Sequence, residues 1–109
     1  MATQERETKR GLAFIRMLAE GGFSPDFLVI DFGTARSVLT DRRMELLETV
    51  RDEEVESVTD LAEMLGRDEA AVSRDLDLLC QNDMIEYERD GRRKIPKLKH
   101  DTVVVEPLL

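Results

Sequence analysis

The segment SVTDLAEMLGRDEAAVSRDLDLL, residues 57–79, predicts two consecutive helices joined by a tight turn. Thr59 is a residue type that caps a helix N-terminus, and Gly66 is the type at which such a helix ends. Asp68 then caps a second helix that runs to about residue 81. Apolar residues recur at helical spacing in both helices, which predicts one buried face for each: Leu61, Ala62 and Leu65 in the first, and Val72, Leu76 and Leu79 in the second.

The sequence before this pair predicts another helix. Thr40 is a candidate N-cap for a helix over residues 41–53, and residues 55–58 are suited to a very short strand. The apolar face of this helix consists of Leu46, Leu47 and Val50.

The sequence after the pair predicts a β-hairpin. Residues 84–88 alternate in polarity, Asp90 and Gly91 form a strong turn signal, and residues 93–98 return as the second strand. Helix, short strand, helix, turn, helix and hairpin is the order of a winged helix-turn-helix.

The predicted fold is therefore α+β and mainly helical, a winged helix-turn-helix with an N-terminal helix and short flanking strands. The winged helix-turn-helix domain spans residues 40–99. Residues 1–39 precede it and hold the N-terminal helix and a strand, and residues 100–109 follow it with a last strand.

In such a domain the second helix of the pair stands clear of the body and enters the major groove of DNA. Its exposed residues here are Ala70, Ser73, Arg74 and Asp77. Arg74 can donate two hydrogen bonds to guanine or bind a phosphate, and Asp77 can hold the Arg74 side chain or accept from a cytosine amino group. The alternative is that Arg74 and Asp77 form an ordinary solvated pair.

The hairpin, or wing, carries a cluster of positive charge. Arg89, Arg92, Arg93 and Lys94 surround its turn, where side chains are exposed and the backbone can approach another surface. We expect these cations to contact phosphates. The alternative is that they form a solvated strand edge that discourages strand addition.

The residues that carry the pattern also resemble known regulators. Residues 57–67 and 71–76, with Met84-Ile85-Glu86 and the hairpin, are similar to the reading unit of MarR- and ArsR-type regulators. The whole chain resembles more closely a family of small winged-helix regulators common in haloarchaea, which share a helix with Leu12-Ala13-Phe14, a strand before the domain and a Val-rich last strand before Glu-Pro.

The resemblance implies DNA binding by named residues. It implies helix contacts from Thr59, Ser73 and Arg74, and wing contacts from Arg92 and Arg93. The full set of candidate DNA-binding residues is Thr59, Arg67, Ala70, Ser73, Arg74, Asp77, Arg89, Arg92, Arg93 and Lys94. Two departures weaken the match. Asp83 replaces the glycine usual before the wing. Asp75 and Asp77 place negative charge on or near the second helix of the pair, called here the reading helix because it would contact the bases.

The charge balance of the chain argues against DNA binding as a whole and for it locally. The net charge is −8, with 24 acidic against 16 basic residues. DNA binders are usually basic, although an acidic surface is also typical of halophilic proteins. Residues 88–99 nevertheless carry a net charge of +4, whereas residues 45–63 hold eight carboxylates and one arginine.

The terminal segments predict a homodimer. A helix over residues 5–20, a strand over residues 27–32 closed by Gly33 and a strand over residues 103–105 are too apolar to stand alone. In MarR-like proteins terminal elements build a two-fold dimer, so the resemblance implies two reading helices about 34 Å apart on a near-palindromic site. The alternative is that these segments only cover the monomer core.

Several function classes lack their residues. Cys80 is the single cysteine and is expected to be a buried structural thiol, and His100 is the single histidine, so we expect no enzyme activity, cofactor or metal site. No apolar run reaches the length of a membrane span, and we expect a cytoplasmic protein without membrane contact. The competing function is a winged-helix module that binds another protein and not DNA.

Overall fold

The computed structural model of the chain describes residues 26–106. Its elements are β1 (Phe27–Asp31), α1 (Phe32–Val38), α2 (Asp41–Asp52), α3 (Val58–Leu65), α4 (Glu69–Gln81), β2 (Ile85–Asp90), β3 (Arg93–Leu98) and β4 (Thr102–Glu106). They form two compact units, Val38–His100 and a second unit whose described parts are residues 26–37 and 101–106. The helix predicted over residues 5–20 lies outside the described residues.

Helix α3 begins two residues earlier than predicted. Ser57 is its N-cap, with extended backbone and a side-chain oxygen that accepts from the Asp60 N–H at 3.0 Å. Thr59 is therefore inside the first turn and does not cap the helix, which corrects the sequence prediction. The early cap also leaves no room for the strand predicted over residues 55–58, and that segment is irregular ahead of Val58. A serine cap of this kind contributes about 1 kcal/mol.

The turn between α3 and α4 follows the prediction. Gly66 lies in the left-handed region at φ 63°, which glycine adopts without the steric cost that a Cβ imposes. Its N–H donates to the Glu63 carbonyl, and the Arg67 N–H donates to the Ala62 carbonyl. Asp68 then caps α4 by accepting from the Ala71 N–H at 3.2 Å. The caps at both ends keep the turn short.

The core of the Val38–His100 unit is aliphatic, as the near-absence of aromatic residues requires. The fully buried side chains come from every helix of the unit and from the wing: Leu46, Leu61, Val72, Leu76, Leu79, Ile85 and Pro96. Full burial of a side chain of this size contributes roughly 1.5–3 kcal/mol. Leu47 and Val50, predicted to be buried on α2, are only half-buried. Thr40 caps α2 as predicted, accepting from the Arg43 N–H.

The connection from α4 to the wing depends on Asp83. Asp83 adopts φ 62°, the only left-handed residue other than glycine in the described part of the chain. Its N–H donates to the Cys80 carbonyl and the Met84 N–H donates to the Leu79 carbonyl, which closes the helix end in the manner usual for glycine. Strands β2 and β3 then pair antiparallel about the turn at Gly91.

The second unit contains a two-stranded parallel sheet. Strand β1 pairs with β4 in the register Phe27↔Thr102 to Asp31↔Glu106. The strand expected over residues 27–32 instead ends at Asp31, and α1, a helix that the sequence did not predict, begins at once. Asp31 causes this change, because its carboxylate accepts from the Thr34 N–H at 2.7 Å and from the Thr34 hydroxyl at 3.1 Å. These hydrogen bonds, the backbone one foremost, lower the pKa of Asp31.

Candidate nucleic-acid interface

A groove in the Val38–His100 unit brings together five of the predicted DNA-binding residues. It encloses about 480 Å³ between the start of α3, the first two turns of α4 and the tip of the wing. Its lining residues are Ser57, Val58, Thr59, Glu69, Ser73, Arg92, Arg93 and Lys94. Hydroxyl groups and cations dominate this lining, which is a composition suited to phosphate and base edges.

The outer face of α4 is the face predicted for it. Because Val72, Leu76 and Leu79 are fully buried, Ala70, Arg74 and Asp77 are exposed and Ser73 is half-buried. Arg74 forms no hydrogen bond or ion pair within residues 26–106. Its guanidinium is therefore available to an external acceptor without first breaking an internal contact.

Asp77 contacts the wing and not Arg74. The Tyr87 hydroxyl donates to Asp77 Oδ1 at 2.8 Å, and Lys94 Nζ lies 3.9 Å from the same oxygen. Lys94 Nζ also lies 4.0 Å from the centre of the Tyr87 ring, which is a cation–π contact. The Arg74–Asp77 pair, one of the alternatives that the sequence left open, does not form, because Tyr87 and Lys94 of the wing contact this carboxylate instead.

Tyr87 was missed as a site residue from the sequence, although it is the single tyrosine and alternates with exposed residues on β2. It links the wing to α4. Burial raises its pKa most, and the hydrogen bond to Asp77 together with the charge of that carboxylate raises it further. The phenol therefore stays protonated and donating.

Arg67 is turned away from the groove. Its Nη2 donates to Asp75 Oδ2 at 2.8 Å, and Arg43 Nε donates to Asp75 Oδ1 at 3.1 Å. The three side chains are 13–21% exposed, and they connect α2, the α3–α4 turn and α4. Burial alone would raise the pKa of Asp75, but the hydrogen bonds from Arg67 and Arg43 and their charges lower it overall. Asp75 is therefore a neutralised internal carboxylate and adds no free negative charge to the reading face.

The wing tip presents its cations in two ways. Arg89 and Arg92 are exposed and form no ion pair among the described residues. Arg93 Nη2 pairs with Asp90 Oδ2 at 2.7 Å, but both side chains are more than half exposed. A surface pair of this kind contributes little, so a phosphate can compete for Arg93.

Glu69 also lines the groove, although no sequence pattern indicates it as a site residue. It is the first residue of α4, and the Thr59 hydroxyl donates to its Oε1 at 2.9 Å. No sequence motif marks a hydrogen bond between a threonine and a glutamate that are ten residues apart on two successive helices, so only the tertiary structure reveals it.

The structure offers little for metal or thiol chemistry. Within residues 26–106 no group of three or more His, Cys, Asp or Glu residues is placed to hold a metal ion. Cys80 is a free thiol and is half-buried, less enclosed than predicted. No helix in this part of the chain combines the length and the apolar character needed to cross a membrane.

Comparison with solved structures confirms the predicted fold. The homodimeric winged helix-turn-helix DNA-binding domain of Mb0332 from Mycobacterium bovis, described as a possible ArsR-family transcriptional regulator, is 19% identical with a TM-score of 0.56, and the match covers 62% of each chain. Reduced HlyU from Vibrio cholerae is 18% identical with a TM-score of 0.58, over 90% of this chain and 83% of that one. The transcriptional regulator HlyU from Vibrio vulnificus is 17% identical with a TM-score of 0.59, over 93% and 85%.

Similarity at these identities establishes the winged helix-turn-helix fold, and the MarR-type part of the resemblance stays a prediction. No curated protein sequence matches the chain. The family model HVO_A0114, however, matches residues 38–105, which is more than half of the sequence and includes the whole of the groove described above. The chain is therefore a member of the HVO_A0114 family.

Proposed function

We propose that this protein is a transcriptional regulator that binds double-stranded DNA sequence-specifically in the cytoplasm, as a homodimer on a near-palindromic site. It needs no cofactor and is not an enzyme. The observation that carries the proposal is the groove, in which Thr59, Ser73 and the wing cations line one surface. Arg74 stands exposed on the same helix as Ser73 and forms no internal contact within the described residues.

Each part of this surface has a role in the proposal. Arg74 reads a base edge, and Ala70 approaches the bases closely because its side chain is short. Arg89, Arg92 and Arg93 bind phosphates that lie beside the major groove of DNA, into which α4 inserts. Lys94 and Asp77 hold the wing against α4 through Tyr87. Arg67 acts on the same surface only indirectly, by binding Asp75 in the middle of α4.

The acidic remainder of the chain shapes the binding. With a net charge of −8, the body repels DNA everywhere except at this surface. Three arginines, Arg89, Arg92 and Arg93, that each neutralise one phosphate give a salt slope of about −2.7 for each protomer, since the slope is about −0.9 for each phosphate neutralised. Binding should therefore be confined to one orientation and should persist at salt concentrations that abolish weaker non-specific contacts.

The test is a DNA-recovery experiment with the full chain, followed by salt titration of binding to the recovered sites. We expect Arg74→Ala to relax the sequence preference, and Arg92→Ala to weaken binding to all sequences and flatten the salt slope. Arg51→Ala is the matched control, because Arg51 is an exposed arginine paired with Asp52 in the acidic segment. The regulator proposal is refuted if no DNA binds at low or high salt. It is also refuted if all three variants show the same sequence preference and the same salt slope.

The homodimer has its own test. Mb0332 is described as homodimeric, and the MarR-type resemblance implies terminal segments that join two copies. Light scattering at high salt and micromolar protein should give twice the monomer mass. A monomeric mass under these conditions would contradict the two-fold reading of the site.

A winged-helix module for protein binding is the second candidate. The excess of carboxylates favours it, because an acidic surface discourages DNA and suits a basic partner protein. It becomes the better explanation if the recovery experiment yields no DNA.

A further inference from the structure

Glu69 is a carboxylate in a groove otherwise lined by hydroxyls and cations. It occupies the first position of α4 and is exposed, and it shares the groove with Arg92 and Arg93 of the wing. A carboxylate in this position repels phosphate. It therefore lowers non-specific affinity for DNA, and any favourable contact that it makes must be to a hydrogen-bond donor.

Thr59 holds this carboxylate in one orientation. The Thr59 hydroxyl donates to Glu69 Oε1 at 2.9 Å, from the first turn of α3 across to the first turn of α4. Glu69 Oε2 accepts no hydrogen bond within residues 26–106. One oxygen is therefore fixed by the protein, and the other remains as an oriented acceptor.

The position of Glu69 matches the part of a reading helix that meets base edges, because residues at the helix N-terminus contact bases in the major groove. The donors in the major groove are the amino groups of cytosine and adenine. The adenine amino group lies between two acceptors, its own N7 and the thymine O4. The cytosine amino group has an acceptor on one side only, so a carboxylate approaches it with less repulsion.

We propose that Glu69 selects a cytosine at one position of each half-site, and that Thr59 is the positioning residue for its carboxylate. This inference rests on the proposed function. It assigns a base-reading role to a residue outside the predicted contact set, and it explains why a negative group lies where phosphate binding alone would favour none.

Selection of bound sequences from a randomised DNA duplex pool tests the inference, using the full chain and three variants. The unchanged protein should enrich one position for cytosine, and replacing that base should weaken binding about fivefold or more. Glu69→Gln should lose this preference and shift it toward adenine, whose N6 and N7 a glutamine amide matches. Thr59→Val, which removes only the positioning hydroxyl, should reduce the preference without abolishing it.

The control is Glu63→Gln, which removes an exposed carboxylate from α3 outside the groove and should leave the preference for cytosine intact. Circular dichroism and thermal melting check that each variant folds, and Thr59→Val tests the inference independently where Glu69→Gln fails to fold. If Glu69→Gln enriches the same base as the unchanged protein, the inference is overturned while the regulator proposal stands. If the unchanged protein binds no DNA at all, the regulator proposal fails and this inference fails with it.

Discussion

Replacing Asp75 with asparagine should lower the stability of the fold by several times more than removing an exposed ion pair. Asp75 accepts from Arg67 at 2.8 Å and from Arg43 at 3.1 Å, and no side chain of the three is more than 21% exposed. Asparagine keeps the shape but removes the charge, so two mostly buried guanidiniums lose their shared counter-charge.

The magnitude follows from the two charge-assisted hydrogen bonds. Each contributes about 1.5–3 kcal/mol, and breaking a fully buried ion pair costs about 3–5 kcal/mol. Residual solvent contact at these side chains lowers that figure, so we expect the free energy of unfolding to fall by about 2–3 kcal/mol. For a domain of this size this corresponds to a melting temperature lower by roughly 10–20 °C.

The pH dependence of stability separates the charge of Asp75 from its shape. The pKa of Asp75 is lowered from 3.8 in the folded protein, so the stabilisation is complete above the unfolded pKa and is lost as pH falls through the folded pKa. The difference between Asp75→Asn and the unchanged protein should therefore be full at neutral pH and should shrink below pH 3.8.

The assay is chemical and thermal denaturation at several pH values, with Asp52→Asn as the control. Asp52 pairs with Arg51 at 2.7 Å, but both side chains are more than half exposed. That substitution should leave the melting temperature unchanged within error, because surface pairs contribute little. A loss for Asp75→Asn no larger than for Asp52→Asn, or one that does not diminish in acid, would refute the reasoning.

Three further predictions concern the wing, the helix ends and the salt response. Tyr87 should resist ionisation above pH 10 because its pKa is raised in the fold. The stability that the protonated phenol contributes is complete below the usual pKa of tyrosine and is lost as pH rises past it. Phenolate absorbance, which comes from this one tyrosine, should appear at a lower pH in Asp77→Ala than in the unchanged protein. Asp83→Gly should raise the free energy of unfolding by about 0.5–1 kcal/mol by relieving the left-handed residue, and Gly66→Ala should lower it by about 1 kcal/mol; equal effects of the same sign in denaturant melts would contradict the backbone argument. Arg92→Ala should reduce the salt slope of DNA binding by about 1 for each protomer in anisotropy titrations, and an unchanged slope would remove Arg92 from the phosphate contacts.

The local pattern of the sequence was sufficient for the elements of the Val38–His100 unit. Thr40, Gly66, Asp68 and Gly91 act through hydrogen bonds or backbone angles within a few residues of themselves. Interactions between such near neighbours can be predicted from the sequence alone. Two local predictions were nevertheless wrong for a local reason: Ser57 caps α3 two residues before Thr59, and the hydrogen bonds of Asp31 begin a helix at Phe32, where the sequence predicted the end of a strand.

The candidate site was predictable in composition but not in pairing. Helical periodicity correctly placed Arg74 and Asp77 on the outer face of α4, because the buried stripe determines which residues remain outside. It could not show that Asp77 meets Tyr87 and Lys94 instead of Arg74. Those partners come from the wing, and their distance depends on how β2 and β3 pack against α4.

The sequence by itself determined where α2, α3, α4 and the hairpin lie, because capping, helical spacing and turn chemistry act between near neighbours. Only the tertiary structure decided which arginines pair internally and which remain exposed. Arg67 and Arg74 are seven residues apart and indistinguishable in charge, yet one pairs with Asp75 and the other faces solvent. The physical reason is that an ion pair depends on a separation of a few ångströms in space, and α2, the α3–α4 turn and α4 reach that separation only when they pack together.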